Sequence, residues 1–216
     1  MKNDNLEREY TFQINKKHTE LNLPSELGRF RLISKKNIRF KDYILDTKNQ
    51  SLNDQKIGLR LRIYKKKGDL TLKKFLGRTK DIATYKEHTL KIPFLYLQSF
   101  EKSGQDYIKN ILKMKGIIDI RERLTILLEI NNDRQIYTYK TKNITLELVV
   151  ETLKYLKNGR AVEDALLEIE IIQINETNES LKLVSKFVDS VKDMFKCLPI
   201  NEGKTSRAIR LLETTQ

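Results

Sequence analysis

The sequence predicts an α+β fold, a closed antiparallel β-barrel with helices packed outside it, on three observations. Apolar and polar residues alternate with period two through most of the 216 residues. A few segments instead place apolar residues at helical spacing. The polar faces of the strands are also not miscellaneous: they carry doublets of one charge sign.

The predicted strands lie near 5–12, 41–46, 57–66, 69–75, 84–92, 119–131, 134–140, 144–152, 165–173 and 204–212. Lys66-Lys67-Gly68-Asp69 and Asn131-Asn132-Asp133-Arg134 read as hairpin turns, because Gly, Asn and Asp tolerate left-handed backbone. Consecutive hairpins imply antiparallel pairing. Helices are expected at 24–35, opening at Pro24-Ser25-Glu26, at 104–115 and at 178–197, where Leu181, Val184, Phe187, Val188 and Val191 form an apolar stripe. No low-complexity linker or fixed-period repeat divides the chain, so residues 1–216 are expected to form a single domain.

Composition narrows the function. Lys and Arg number 42 against 29 Asp and Glu, a net charge of +13, which favours a polyanionic partner. The single cysteine, Cys197, excludes an internal disulfide framework and a cysteine-based zinc site and suits a reducing compartment. No stretch approaches the roughly 18 apolar residues of a membrane span, and the first ten residues lack an apolar signal core. A cytoplasmic protein with no membrane partner is expected.

The charged faces carry the chemistry. Glu7 and Glu9 oppose Leu6, Arg8, Tyr10 and Phe12; Arg60 and Arg62 oppose Leu59, Leu61 and Ile63; Lys73 and Thr71 oppose Leu70 and Leu72. Arg121 and Arg123 oppose Ile120 and Leu124, Glu147 and Glu151 oppose Leu146, Leu148 and Val150, and Glu168 and Glu170 oppose Leu167, Ile169 and Ile171. In a barrel with its apolar side outward under helices, these faces would line a wet channel holding both signs. A bound polyanion would relieve the repulsion among its cations, and a carboxylate-held divalent cation would offset the remaining phosphate charge. Oxygen ligands of this kind suit Mg²⁺ or Mn²⁺. An open sheet with its charged face toward solvent or nucleic acid is the alternative arrangement.

Seven segments in order resemble the CYTH superfamily, the triphosphate tunnel metalloenzymes: Glu7-Arg8-Glu9, Tyr43-Ile44-Leu45-Asp46-Thr47 with Leu52, Leu59-Arg60-Leu61-Arg62, Thr71-Leu72-Lys73, Arg121-Glu122-Arg123, Glu168-Ile169-Glu170 and Lys204-Thr205-Ser206-Arg207. The resemblance implies a tunnel that binds a triphosphate-containing small molecule. Arg60, Arg62, Lys73, Arg121 and Arg123 would clamp its phosphates, with Lys204 and Arg207 as further contacts. Glu7, Glu9, Glu168 and Glu170 would bind metal, joined by Glu151, and Glu7, Glu9, Lys73, Glu168 and Glu170 form the implied catalytic set. Glu87 matches another family glutamate, although Tyr85 stands where the pattern has Arg. Thr11 replaces an expected lysine on the face of Glu7 and Glu9, with Lys91 a candidate substitute.

The implied activity is metal-dependent hydrolysis of a triphosphate, with inorganic tripolyphosphate the simplest substrate and nucleoside or thiamine triphosphate as others. A class IV type adenylyl cyclase and a non-catalytic polyphosphate- or nucleotide-binding module are the alternatives. The sequence offers no dedicated aromatic motif for stacking bases, so nucleic acid is not the expected partner. A monomer and a homodimer are both compatible with it. Gly203-Lys204-Thr205 looks like the end of a P-loop but lacks the glycine five residues earlier, where Leu198 stands, and the predicted strand at 204–212 conflicts with the helix a P-loop needs.

Overall fold

Among the described residues ten strands form one antiparallel sheet: β1 (Leu6–Gln13), β2 (Glu26–Leu27), β3 (Phe30–Thr47), β4 (Ile57–Tyr64), β5 (Lys67–Thr79), β6 (Ile82–Ile92), β7 (Leu124–Lys140), β8 (Ile144–Lys157), β9 (Arg160–Ile174) and β10 (Leu198–Pro199). The structure, a computed structural model, describes residues 6–19, 23–64, 67–93, 96 and 100–214. The strand order β1-β6-β5-β4-β3-β7-β8-β9 returns to β1, which pairs with β6 through Leu6–Glu9 and with β9 through Glu9–Gln13. Eight strands therefore close a barrel, and the expected closed antiparallel architecture stands.

Closure gives the alternating strands two different environments. Outward apolar residues of β1, β7, β8 and β9, including Phe12, Tyr139, Leu148 and Ile169, pack under helix α3 (Asn178–Phe195), which contributes Val184, Phe187, Val188 and Val191. That stripe burial carries most of the helix's stability. Its first turn is capped by Thr177, whose hydroxyl accepts from the Ser180 N–H at 3.1 Å. A second apolar cluster joins Leu45, Leu59, Leu61, Leu70 and Leu72 to Ile108 and Leu112 of α2 (Gln105–Met114).

The short α1 (Ser51–Asp54) explains the Asp46-Thr47 segment. Buried Asp46 accepts from the backbone N–H groups of Thr47, Leu52 and Asn53 at 2.7, 3.0 and 3.1 Å, locking the turn out of β3. The turn between β8 and β9 is Asn158-Gly159, both at positive φ (51° and 78°), the two-residue geometry matching strand twist.

Three expectations change. The helix expected at 24–35 is instead β2 and the start of β3, because β3 pairs with β7 from Arg31 to Thr47 and that ladder outweighs the local start signal. The turn expected at 131–134 does not form: β7 runs unbroken, paired on both edges, so the two strands expected at 119–131 and 134–140 are one strand beginning at Leu124. The strand expected at 204–212 is helix α4 (Lys204–Thr214). Tyr64 pairs with Lys67, so Gly68 and Asp69 of the other expected turn lie within β5, while residues 65 and 66, like residue 5 of the first expected strand, lie outside the described residues.

Helix α4 closes one end of the barrel. Ile200, Ala208 and Leu212 pack against inward-facing Ile44, Leu128, Ile130, Tyr155 and Leu166, which form an apolar layer across the interior. Arg207 fixes the helix there through two hydrogen bonds to buried Asp164, at 2.7 and 3.1 Å. No helix among the described residues is long and apolar enough to cross a membrane.

Candidate active site

Above that apolar layer the inward positions are charged. Side chains two apart on a strand share a face, so the faces read from the sequence meet inside the barrel. Register places Glu9 opposite Glu170, Thr11 opposite Glu168, Glu147 opposite Glu170 and Arg134 opposite Glu151.

Lys73 sits between the two carboxylates of β1. Its Nζ is 2.9 Å from Glu7 Oε2 and 3.0 Å from Glu9 Oε2, and only the second contact has hydrogen-bond geometry. The ammonium also lies 4.5 Å from the centre of the Tyr85 ring, so Tyr85 at the expected arginine position supports a cation rather than supplying one. Burial disfavours the Lys73 charge, but Glu9, Glu7 and Glu168 outweigh it and hold its pKa above the ordinary value.

Positive charge is scarce at this end. Burial, with Glu9, Glu170 and a hydrogen bond to Glu87 adding to it against Lys73, pushes Glu7 up to about 9. Burial together with Glu9 and Glu147 likewise pushes Glu170 up to about 7 against Lys73. Glu9 goes the other way: burial works against its charge, but Lys73 and Lys204 overcome it and lower the pKa. The Glu7 Oε2 atom is buried and makes no hydrogen bond.

A second group surrounds Glu151, which is wholly buried. Arg134 holds its Oε1 through Nε and Nη2, and Lys204 of α4 holds its Oε2. Burial would raise Glu151, but Arg134 and Lys204 bring it down to about 2. The same cations reach Glu168, Lys204 at 2.9 Å and Arg134 at 3.6 Å.

A third group lies on β3 and β4. Asp42 accepts from Arg62 Nε at 2.9 Å and Nη2 at 3.0 Å, a bidentate pair. Arg60 Nε stands 3.9 Å from Asp42, and this buried nitrogen has no hydrogen-bond partner.

The matched family model, the CYTH domain, covers residues 5–195, the whole barrel and α3. The chain belongs to the CYTH family. CYTH proteins bind triphosphate substrates and generally depend on divalent metal. Solved structures share this CYTH fold at low identity. A Hippeastrum protein assigned as an adenylyl cyclase, HpAC1, with a dominant triphosphatase activity, aligns with TM-score 0.62 at 16% identity, covering 94% of this chain and 95% of that one. A Bacillus halodurans protein assigned as an adenylate cyclase aligns with TM-score 0.56 at 14% identity over 92% and 95% of the two chains. A Pyrococcus horikoshii protein aligns with TM-score 0.52 at 15% identity over 95% and 99%. Comparison with curated proteins finds no match.

The CYTH barrel thus brings together Glu7, Glu9, Arg60, Arg62, Lys73, Glu87, Glu151, Glu168, Glu170 and Lys204. It does not bring in Arg121 and Arg123, which are exposed on the irregular segment before β7. Arg207 is spent on Asp164 and anchors α4. Lys91 pairs with Asp69 at 2.7 Å on the β5–β6 rim, and its side chain is 75% exposed, so it does not stand in for a lysine at Thr11. Lys204 contacts Glu168, the register partner of Thr11, from a helix beyond the matched residues. Because Lys204 begins a helix, the conflict with a P-loop from element type disappears; the missing glycine remains. Sequence reading missed Arg134 and Asp42. The Arg134 signal was present in the alternation of Arg134, Ile136 and Thr138 against Tyr137 and Tyr139, obscured by the apparent turn at Asn131-Asn132-Asp133.

Proposed function

We propose that this chain is a divalent-cation-dependent triphosphatase, with inorganic tripolyphosphate as its simplest substrate and nucleoside or thiamine triphosphate as others. One observation carries the reading: five cations, Arg60, Arg62, Lys73, Arg134 and Lys204, converge with six glutamates inside a barrel closed at one end. Phosphoryl transfer asks a protein for positioning and charge stabilisation more than for covalent chemistry. The unpaired, buried Arg60 Nε is a donor suited to a phosphate oxygen.

The donor set fits a divalent cation. Glu7, Glu9 and Glu170 outnumber the one ammonium, Lys73, that pairs with Glu7 and Glu9, and burial with mutual repulsion raises Glu7 and Glu170, so a divalent cation would offset the excess negative charge. Among the described residues no three carboxylate, His or Cys side chains meet at ligand spacing. Mg²⁺ is commonly held by one or two carboxylates together with substrate phosphates and water. Bound there, Mg²⁺ or Mn²⁺ would neutralise phosphate charge in the transition state. The chain's own residues do the rest: Arg60, Arg62 and Arg134 grip oxygens, Lys73 and Lys204 balance the carboxylates as charge redistributes, and the apolar layer under α4 keeps water from one side.

The single buried cysteine suits a reducing compartment, and the cytoplasm is the proposed location. Orthophosphate release from tripolyphosphate, thiamine triphosphate, ATP and GTP, each with Mg²⁺ and with Mn²⁺, tests the proposal. Release from at least one is expected; cyclic AMP and pyrophosphate from ATP, or tight binding with no release, would overturn it.

A further inference from the structure

One inward residue of the charged cavity is neither charged nor polar. Phe40 on β3 shares the face of Asp42 and is buried, 8% exposed. The Arg62 guanidinium lies 3.6 Å from the centre of its ring and the Arg134 guanidinium 5.6 Å from it. Two like charges thus meet across one phenyl group; Arg62 is held below its ordinary pKa first by burial and then by Arg60 and Arg134, against its hydrogen bond to Asp42.

The arrangement of the two arginines matches. Each uses Nε and Nη2 on one carboxylate, Arg62 on Asp42 and Arg134 on Glu151. Among the described residues neither Nη1 has a hydrogen-bond partner. Both guanidiniums are therefore pinned along one edge by an acid and over one face by the same ring, with the remaining edge free. An aromatic ring attracts a cation through its quadrupole, most strongly where water is excluded. An aliphatic residue of similar size would fill the space without that attraction.

We infer that Phe40 is a positioning residue: its ring sets the separation of Arg62 and Arg134 so that their free Nη1 edges grip two phosphoryl groups of one triphosphate. This rests on the triphosphatase reading. Phe40 touches no reacting atom and acts through the two arginines.

The test compares wild type, Phe40→Leu and Phe40→Tyr in Mg²⁺ buffer. Titration calorimetry with non-hydrolysable imidotriphosphate gives Kd, and tripolyphosphate kinetics give KM and kcat. Phe40→Leu is expected to weaken Kd and raise KM about tenfold, the loss of two cation–π contacts, with kcat within about twofold because the catalytic groups remain. Phe40→Tyr is expected to restore most of the affinity. Phe40→Met, more flexible in the same space, is measured alongside so that poor folding of the leucine variant does not decide the matter. Unchanged Kd in both aliphatic variants while wild type binds would overturn the role of Phe40 alone. Weakened Kd in the tyrosine variant equal to that in the leucine variant would also overturn it. Failure of wild type to bind imidotriphosphate would overturn the triphosphatase reading, and this inference with it.

Discussion

Lys204 Nζ lies 2.9 Å from Glu168 Oε1, and Glu168 is the direct cross-strand partner of Thr11. An ammonium thus reaches the neighbourhood of Thr11 from α4, nearly two hundred residues away in sequence. Replacing Lys204 by Gln removes that charge and is expected to lower kcat for tripolyphosphate about 100-fold, the usual cost of one aimed donor. Lys204→Arg should recover part of it. Steady-state kinetics on the three proteins checks this, and a Gln variant with undiminished kcat would remove Lys204 from the site.

Arg134 and Arg121 separate the cavity from the outer surface. Arg134 grips buried Glu151, whereas Arg121 is exposed before β7. Arg134→Lys keeps the charge but loses the planar fork, so KM should rise about tenfold. Arg121→Ala should leave KM within about twofold, as expected for a surface change. The reverse ranking would place the phosphate grip on the wrong arginine.

Glu7 links cation binding to pH. Its folded pKa of about 9 lies above the ordinary 4.5, so the metal-free fold binds this proton more tightly than the unfolded chain does. The associated stability is fully present below pH 4.5 and is lost as pH rises through about 9. Near pH 7.5 a cation taking the Glu7 carboxylate must displace that proton, so Mg²⁺ binding should release roughly one proton per site. Calorimetry in two buffers of different ionisation enthalpy measures it, and Glu7→Gln should abolish the release.

Glu151 gives the opposite pH dependence. Arg134 and Lys204 hold its pKa near 2, below 4.5, so its contribution is complete above pH 4.5 and disappears as pH falls through about 2. The shift corresponds to stability on the order of 3 kcal/mol. Urea denaturation between pH 6 and pH 2 should show this acid limb in wild type. In Glu151→Gln the limb should flatten and the protein should be less stable at pH 6, because two buried cations lose their partner.

The barrel was legible wherever alternation was uninterrupted. In β1, β4, β5, β8 and β9 one face is mostly apolar, so the opposite face, with Glu9, Arg62, Lys73, Glu151 and Glu170, had to point inward once the sheet closed. The first part of β3 was hidden by helix-start residues at Pro24-Ser25-Glu26, and Phe40 lay outside every expected element, since long-range pairing with β7 decides their conformation; Asp42 fell in the expected strand at 41–46, but its arginine partner was not visible. The Asn131-Asn132-Asp133 run looks like a turn, but both flanking strands hold it extended, and buried Asn132 donates to the Ile130 carbonyl at 3.1 Å. Residues 204–212 read as a strand although Arg207 and Arg210 stand three apart, a helical and not a period-two spacing. Ala208, Leu211 and Leu212 also fit one helical face, and the open end of the barrel selects that conformation. The acidic pair of faces was visible as chemistry; which cations answer which carboxylates was not, because Lys204 and Arg134 meet at Glu151 only in three dimensions.

In the proposed function the cavity uses its carboxylates with a divalent cation to cleave a triphosphate held by its arginines and lysines. Orthophosphate release from tripolyphosphate by wild type and Glu9→Gln, with Mg²⁺ and after chelation, tests it most directly. Release by wild type is expected to require Mg²⁺ and to fall at least about 100-fold in the variant. Release that survives chelation, or that Glu9→Gln retains in full, would contradict it.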